Sequence, residues 1–216
     1  MVYSTDIYPV QFSVEYPEEG SNRLTALVRI ILAIPIFIII GLISGSFVNA
    51  GDSDSAWNSG ETSVLLAGLG LSLATMLMIV FRGKYPRWWF DWNLEVSRFS
   101  ARVGAYLFLL RDEYPSTDEQ QSVTLEIAYP DVQGQLNRFL PLVKWLLAIP
   151  HYIVLTVLGI VALVVVFLAW IAILVTGRYP VWMFNYIVGL FRWGIRVGAY
   201  AFLLTTDRYP PFRFSE

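Results

Sequence analysis

An internal repeat constrains the fold of this chain more than any other feature of its sequence. The stretch from Gly83 to Tyr106 returns 94 residues later, from Gly177 to Tyr200, with Gly-basic-Tyr-Pro at its start and Arg-Val-Gly-Ala-Tyr at its end. Upstream, Asn22 to Pro35 is matched 115 residues later by Asn137 to Pro150. Agreement at so many separate positions predicts two related structural units. We divide the chain into a first repeat over residues 1–116, with an outer loop at 45–63, and a second repeat over residues 117–216.

Composition predicts a membrane protein. The 216 residues are 56% hydrophobic and 15% charged, whereas soluble domains are about 45–50% apolar and about 25% charged. The net charge of −2 and the absence of a basic run argue against a nucleic-acid partner. Because the chain has no cysteine, it can form no disulfide and no thiolate metal site. Acidic residues before Asn22 and the lack of an apolar core there argue against a signal peptide.

The first repeat contains two apolar stretches that are long enough to cross a bilayer. Leu24–Ile43 and Val64–Phe81 each approach the ~20 residues that a ~30 Å hydrocarbon core requires. Pro35 should kink the first of them because it cannot donate a backbone hydrogen bond. The loop between them carries acidic residues and no Lys or Arg, whereas the outer ends of both spans are basic. The positive-inside rule therefore places this loop outside and both termini in the cytoplasm.

The second repeat replaces the loop with one apolar stretch of 38 residues, from Phe139 to Thr176. A straight helix of this length, at 1.5 Å per residue, is too long for one crossing. The stretch is either a tight hairpin that turns near Gly159, or one long kinked span preceded by an interfacial helix. Likeness to the first repeat favours the hairpin. So does charge, because Arg138, Lys144 and Arg178 then share the cytoplasmic side.

Two further element types complete each repeat. Val10–Tyr16 and Val123–Tyr129 alternate apolar and polar residues, which predicts two short strands. Residues 88–110 and 182–204 are predicted helices, each with a polar stripe on an otherwise apolar and aromatic surface. They either lie in the membrane interface or cross the bilayer. The interfacial placement agrees with the charge rule and with the tryptophans at their starts.

The polar stripes hold the main candidate functional residues. Arginine binds phosphate through two parallel hydrogen bonds, and basic pockets at the cytoplasmic membrane interface attract anionic lipids. The same arginines could instead cap carbonyl groups or pair with acids to fix the repeats together. The candidates for a lipid headgroup site or for inter-repeat ion pairs are Arg98, Arg102, Arg192, Arg196, Asp91 and Glu95. The basic residues expected at the interface are Arg23, Arg29, Arg138 and Lys144.

Little in the sequence supports catalysis. His151 is the only histidine, so it is a candidate single ligand for a haem or a pigment, and multi-histidine metal sites cannot form within one chain. No phosphate-binding loop and no nucleophile motif is present. We therefore predict no catalytic residue, no metal and no cofactor. An enzyme acting on lipid substrates would have to use Asp91 and Glu95.

Several motifs of the second repeat resemble a known family. Ala-Ile-Pro-His at 148–151, Thr-Gly-Arg-Tyr-Pro at 176–180 and Asp-Arg-Tyr-Pro-Pro-Phe at 207–212 are similar to the bacterial membrane-protein family catalogued as domain of unknown function 4389. Residues 137–212 carry the resemblance most fully. The first repeat resembles a divergent second copy, with Ile36 in place of His151. The resemblance implies a small multi-spanning membrane protein and brings no established activity.

Taken together, the sequence predicts a mainly α, integral membrane fold of two tandem pseudo-symmetric repeats. Each repeat has a short strand, a transmembrane helical hairpin and an amphipathic interfacial helix. The expected role is that of a non-enzymatic accessory or scaffold subunit of a bacterial inner-membrane complex or homo-oligomer. Its expected partners are anionic phospholipids and other membrane subunits or itself. The alternative is a small transporter, channel or lipid-translocating protein, because internal repeats with kinked helices are common in transporters.

Overall fold

The computed structural model describes residues 8–43, 70–117, 119–132, 134 and 136–215. This part of the chain is mainly helical, as predicted. The predicted outer loop at 45–63 and the start of the second predicted span lie outside the described residues. In chain order the elements are β1 (Val10–Val14), α1 (Arg23–Leu32), α2 (Ile34–Ile43), α3 (Gly70–Arg82), α4 (Arg87–Leu107), β2 (Val123–Ile127), α5 (Pro141–Leu147), α6 (Ile149–Thr176) and α7 (Val181–Gly198). A π-helical turn, Ala199–Leu203, follows α7 directly.

The first predicted apolar stretch of each repeat begins with a short helix that ends at a buried alanine. α1 starts at the N-cap residue Asn22, whose side-chain oxygen accepts hydrogen bonds from two N–H groups of the first turn. It gives way to α2 at Ala33, and α5 gives way to α6 at Ala148 in the same manner. Both alanines are fully buried. In each case a proline follows two residues later, where its missing N–H interrupts the hydrogen-bond ladder.

The hairpin predicted near Gly159 is wrong. α6 is a single helix of 28 residues, and Gly159 lies inside it. Its proline stands in the first turn, where the missing N–H needs no partner, and the helix ends only at Gly177, which adopts the left-handed conformation with φ 75°. At 1.5 Å per residue α6 is about 42 Å long. The break at Ala148 separates α5 from it, which is how 38 apolar residues are accommodated without a hairpin.

The two predicted strands pair with each other. β1 and β2 run antiparallel, with Phe12 opposite Leu125 at the centre of the register. The apolar side chains of both strands are buried, except that Val14 is half-buried, whereas Gln11, Ser13 and Glu126 on the opposite face are exposed. This alternation confirms the predicted strand period and leaves one face of the ribbon open to water.

The described part of the chain forms layers from the strands to α6. The buried face of the ribbon packs on α7 and α4, and α7 packs with its other side on α6. Phe12, Ile187 and Ile173 belong to one continuous core across these layers. Beyond the core, the other half of α6 is apolar and exposed. Within the described residues, α6 is the one helix long and apolar enough to cross a membrane.

Candidate functional site

The arginine stripe of α7 binds backbone carbonyls of the strand and of the C-terminal tail. Arg192 donates from Nε to the carbonyl of Phe12 at 3.0 Å and from Nη1 to that of Phe214 at 2.9 Å. One turn further, Arg196 donates to the carbonyl of Ser215 at 2.8 Å, and its guanidinium lies over the ring of Tyr8 at 5.7 Å. Arg196 is only 2% exposed, so its charge lies inside the protein.

The stripe of α4 makes the corresponding contacts with the other strand. Arg98 donates from Nε to the carbonyl of Leu125 at 3.0 Å and pairs through Nη1 with Glu95 at 2.6 Å. Arg102 donates to the carbonyl of Ser116 at 2.7 Å. The pair between Arg98 and Glu95 lies within one helix and does not join the two repeats. Asp91 is exposed and makes no ion pair with the other described residues.

These arginines close the two outer edges of the ribbon. The pairs Glu15–Ser122 and Pro9–Ala128 flank the ladder and are hydrogen-bonded, so alternation places Phe12 and Leu125 in the non-hydrogen-bonded class, with their carbonyls facing outward. An outward carbonyl on a short ribbon has no strand partner. Arg192 and Arg98 donate hydrogen bonds to these two carbonyls, one on each edge of the ribbon. Lipid binding by the stripes stays a prediction, because the structure gives all four guanidinium groups protein partners.

Two aspartates that sequence reasoning did not place at the centre of the site organise its most buried charges. Asp112 accepts from Arg29 with one carboxylate oxygen and from the backbone N–H of Asn22 with the other, the latter at 2.7 Å. Asp207 binds Lys144 at 2.7 Å and the backbone N–H of Asn137 at 2.5 Å in the same way. Both aspartates belong to the repeated Asp-x-Tyr-Pro motif, which was the available signal.

The basic partners of these aspartates, which were predicted at the membrane interface, lie buried inside the protein. Arg29 is 3% exposed and Lys144 is 0% exposed. Each also donates to a carbonyl, Arg29 to Tyr106 at 2.5 Å and Lys144 to Thr206 at 2.8 Å, and each lies over a tyrosine ring. Burial lowers the pKa of the Lys144 ammonium, and the Asp207 carboxylate opposes that effect. A nearby carboxylate and a carbonyl therefore take the place of water around each buried charge.

Arg23 and Arg138 bind the ends of helices in the opposite half of the chain. Arg23 donates to the carbonyl of Val175, in the last turn of α6, at 3.0 Å. Arg138 donates to the carbonyls of Val80 and Phe81, in the last turn of α3, the second at 3.1 Å. Carbonyls in the last turn have no partner within the helix and carry partial negative charge. Both arginines are exposed, and their predicted place at the membrane interface stays a prediction.

His151 joins α6 to α7 and the C-terminal tail. Its Nδ1 accepts a hydrogen bond from the Trp193 indole at 3.0 Å, and its ring stacks on Phe212 at 3.9 Å between centroids. The side chain is fully buried. Because Nδ1 is the acceptor, a neutral ring carries its proton on Nε2 and has no free lone pair for a ligand. This geometry gives His151 a packing role, and the haem or pigment ligand stays a prediction that the geometry does not favour.

The described residues contain no group of three or more His, Asp or Glu side chains that could hold a metal ion. No curated protein and no solved structure matches the chain. One family model does match, over α5, α6, α7 and the C-terminal tail. Residues 141–214 are similar, in one copy, to the family described as Domain of unknown function (DUF4389).

Proposed function

We propose that the protein is a non-enzymatic, multi-spanning inner-membrane protein that acts as an accessory or scaffold subunit of a larger complex or homo-oligomer, in contact with anionic phospholipid. The observation that carries this proposal is the surface of α6. Only 22% of the most apolar 18-residue stretch of α6 is buried, whereas the core helix of a soluble protein would be mostly covered. Ile153, Ile160 and Phe167 are each about 60% exposed. Apolar surface on this scale is unfavourable in water and favourable in lipid.

Other helices extend this apolar surface. Large hydrophobic side chains are exposed on α1, α3 and α5, among them Leu24, Leu27, Ile31, Leu73, Leu77, Phe81, Leu142, Trp145 and Leu146. The exposed polar face of the β1–β2 ribbon lies on the far side of α7 from α6. A membrane on the α6 side and water on the ribbon side would satisfy both surfaces.

The halves are proposed to be two copies of one unit, related by a pseudo-twofold axis between Phe12 and Leu125. The support is that contacts of the repeated motifs occur in pairs. Arg192 binds the strand of the first half and Arg98 that of the second. Arg23 and Arg138 also cross to helix ends of the opposite half, and Tyr16 and Tyr129 cross to the carbonyls of Tyr179 and Tyr85. Asp112 and Asp207 make a matching pair of contacts, each within its own half.

This exchange of contacts supports a scaffold over an enzyme. The repeated charged residues bind carbonyls, helix ends and one another, and so hold the halves together. A catalytic site requires several polar groups that converge on a cavity where a substrate atom can lie. In the described residues the repeated polar groups are used for assembly, and stable assembly is what a scaffold or accessory subunit must provide.

Membrane integration and topology can be tested together. The chain has no cysteine, so single cysteines at Gly51 and at Thr117 can be labelled cleanly with a membrane-impermeant maleimide. We expect the protein to remain in the membrane after alkaline carbonate extraction, with the two cysteines labelled from opposite sides. Release by carbonate would overturn membrane integration. Labelling of both from one side would overturn the multi-spanning arrangement and leave an in-plane, embedded protein.

The scaffold role needs a separate experiment. Native mass spectrometry of the protein purified in a mild detergent should show a homo-oligomer or a stoichiometric protein partner. A strictly monomeric protein with no co-purifying protein would count against the scaffold role.

A further inference from the structure

The connection between α3 and α4 forms an open pocket that the arginine stripes do not reach. Its volume is about 550 Å³, and its walls include Arg82, Lys84, Arg87, Tyr129 and Asp131. Three cations therefore face one carboxylate, which gives the pocket a net positive charge. The Arg87 guanidinium lies over the Tyr129 ring at 5.1 Å, a position in which it is held without losing its charge.

These cations differ from the other basic residues of the repeated motifs. Arg29 and Lys144 are buried against carboxylates, whereas Arg82, Lys84 and Arg87 are exposed. Among the described residues neither Arg82 nor Lys84 has an ion-pair partner. The one acid in the pocket, Asp131, accepts a hydrogen bond from the Gly134 N–H at 3.1 Å. The fold thus leaves positive charge in the pocket available to a ligand.

The wall of the pocket is fixed by long-range hydrogen bonds. Tyr129 donates to the carbonyl of Tyr85 at 2.5 Å, and Tyr85 donates to the carbonyl of Leu203 at 3.1 Å. Gly83, at the pocket, has φ 59° and open space where a Cβ would lie. The two tyrosines tie the α3–α4 connection to the segment after β2 and to the π-helical turn. A ligand would therefore meet a largely preformed site.

We propose that this pocket binds the negatively charged phosphate group of an anionic phospholipid, with the acyl chains along the exposed side chains of α3. The inference rests on the proposed membrane integration. Arginine matches phosphate geometry bidentately, and lysine contributes a point charge. Leu77 and Phe81, at the end of α3 next to the pocket, are 43% and 72% exposed. This apolar neighbour favours a lipid over a free phosphate compound.

The second half provides a matched control. At the positions of Arg82, Lys84 and Arg87 it has Thr176, Arg178 and Val181. Arg178 is exposed like Lys84, so its removal changes the net charge equally without touching the pocket. Asp131→Asn offers the opposite change, because it removes the negative charge from the pocket and keeps an oxygen that can accept from Gly134.

The test is native mass spectrometry of the detergent-purified protein with added phosphatidylglycerol or phosphatidylcholine. We expect a preference for phosphatidylglycerol that falls about fivefold for each of Arg82→Ala and Arg87→Ala, since one cation near an anionic surface contributes about 1 kcal/mol. Arg178→Ala should change the preference less than twofold. Asp131→Asn should raise it, an effect that loss of folding cannot produce.

The results of these experiments distinguish a lipid from a small phosphate compound, and the pocket from the proposed membrane integration. Displacement of phosphatidylglycerol by millimolar glycerol phosphate would overturn the lipid assignment in favour of a small phosphate compound. Equal losses in Arg178→Ala and Arg87→Ala, or no gain in Asp131→Asn, would overturn the pocket itself. Carbonate extraction of the same variants reports on membrane integration separately. An integrated protein without lipid preference refutes only the pocket, whereas a released protein refutes the proposed function.

Discussion

The α3–α4 and α6–α7 connections share a sequence motif and differ in what surrounds them. Around Gly177 the space is filled: the carbonyl of Gly177 accepts the Ser21 N–H at 2.8 Å, and Arg23 lies 3.4 Å from the position of a Gly177 Cβ. Around Gly83 the space is open. The open connection is lined by three cations, whereas the closed one contributes a single arginine of its own, Arg178, beside Arg23. One backbone motif thus serves packing in one place and leaves a charged pocket in another.

The largest expected effect comes from breaking the buried ion pairs Lys144–Asp207 and Arg29–Asp112. Lys144→Ala should destabilise the protein by about 3–5 kcal/mol, because it leaves the Asp207 carboxylate without its cation in a buried site. Arg29→Ala should cost less, because the Asp112 side chain is 28% exposed and that of Asp207 is 18% exposed. Thermal unfolding in detergent measures both. Adding Asp207→Asn to Lys144→Ala should recover part of the loss, and no recovery would contradict a charge-based origin.

The second prediction concerns the backbone contact that closes the α6–α7 connection. Gly20 has φ 89°, and a Cβ there would lie 2.7 Å from the carbonyl oxygen of Gly177. Forcing an alanine into a left-handed conformation costs about 1–2 kcal/mol. Gly20→Ala should therefore lower the free energy of unfolding by more than that amount. Gly83→Ala meets open space and should cost only the conformational part. Equal shifts of the unfolding midpoint for both variants would show that the contact at Gly177 is not needed.

A third, smaller effect should distinguish the two ribbon edges. Arg192→Ala removes hydrogen bonds to the carbonyls of Phe12 and Phe214, and should cost about 2–3 kcal/mol. Arg98→Ala removes one carbonyl contact and a pair with the exposed Glu95, so about 1–2 kcal/mol is expected. Hydrogen exchange of β1 and β2 amides would report each edge separately. Greater loss of protection in Arg98→Ala would reverse this order.

The smallest expected effect is a pH dependence confined to the first half. Glu113 accepts from the Ser122 hydroxyl at 2.6 Å and from Arg111 at 2.7 Å. Burial by itself would raise the pKa of Glu113, but these hydrogen bonds hold it below the usual value. Its stabilisation is present above the unfolded pKa of about 4.3 and is lost as pH falls through the lower folded pKa.

The corresponding residue of the second half is Arg208, which does not titrate in this range. Acidification below about pH 4 should therefore increase hydrogen exchange at Ser122, next to β2. Glu113→Gln should remove that pH dependence. An unchanged acid response in Glu113→Gln would assign it to another carboxylate.

The features of the fold that have a local cause could be predicted from the sequence. The alternation of Val10–Tyr16 and Val123–Tyr129 predicted both strands, because strand side chains alternate between faces regardless of the partner. The polar stripes of α4 and α7 followed from helical spacing in the same way. The Gly159 hairpin failed, because apolar length and likeness to the first repeat cannot report whether a helix continues. A break at Ala148, two residues before Pro150, accounted for the excess length instead.

The amino-acid sequence by itself determined the helical class, the two strands, the apolar composition and the residues that recur at fixed spacing. Only the tertiary structure decided which charges meet. Arg29 and Lys144 were expected at headgroup depth, but Asp112 and Asp207, 83 and 63 residues further along the chain, reach and bury them. Composition cannot show such pairings, because the cost of burying a charge depends on a partner that only folding brings near. For the same reason, only the tertiary structure shows that the arginines of the stripes bind carbonyls, whereas the cations of the α3–α4 pocket are exposed.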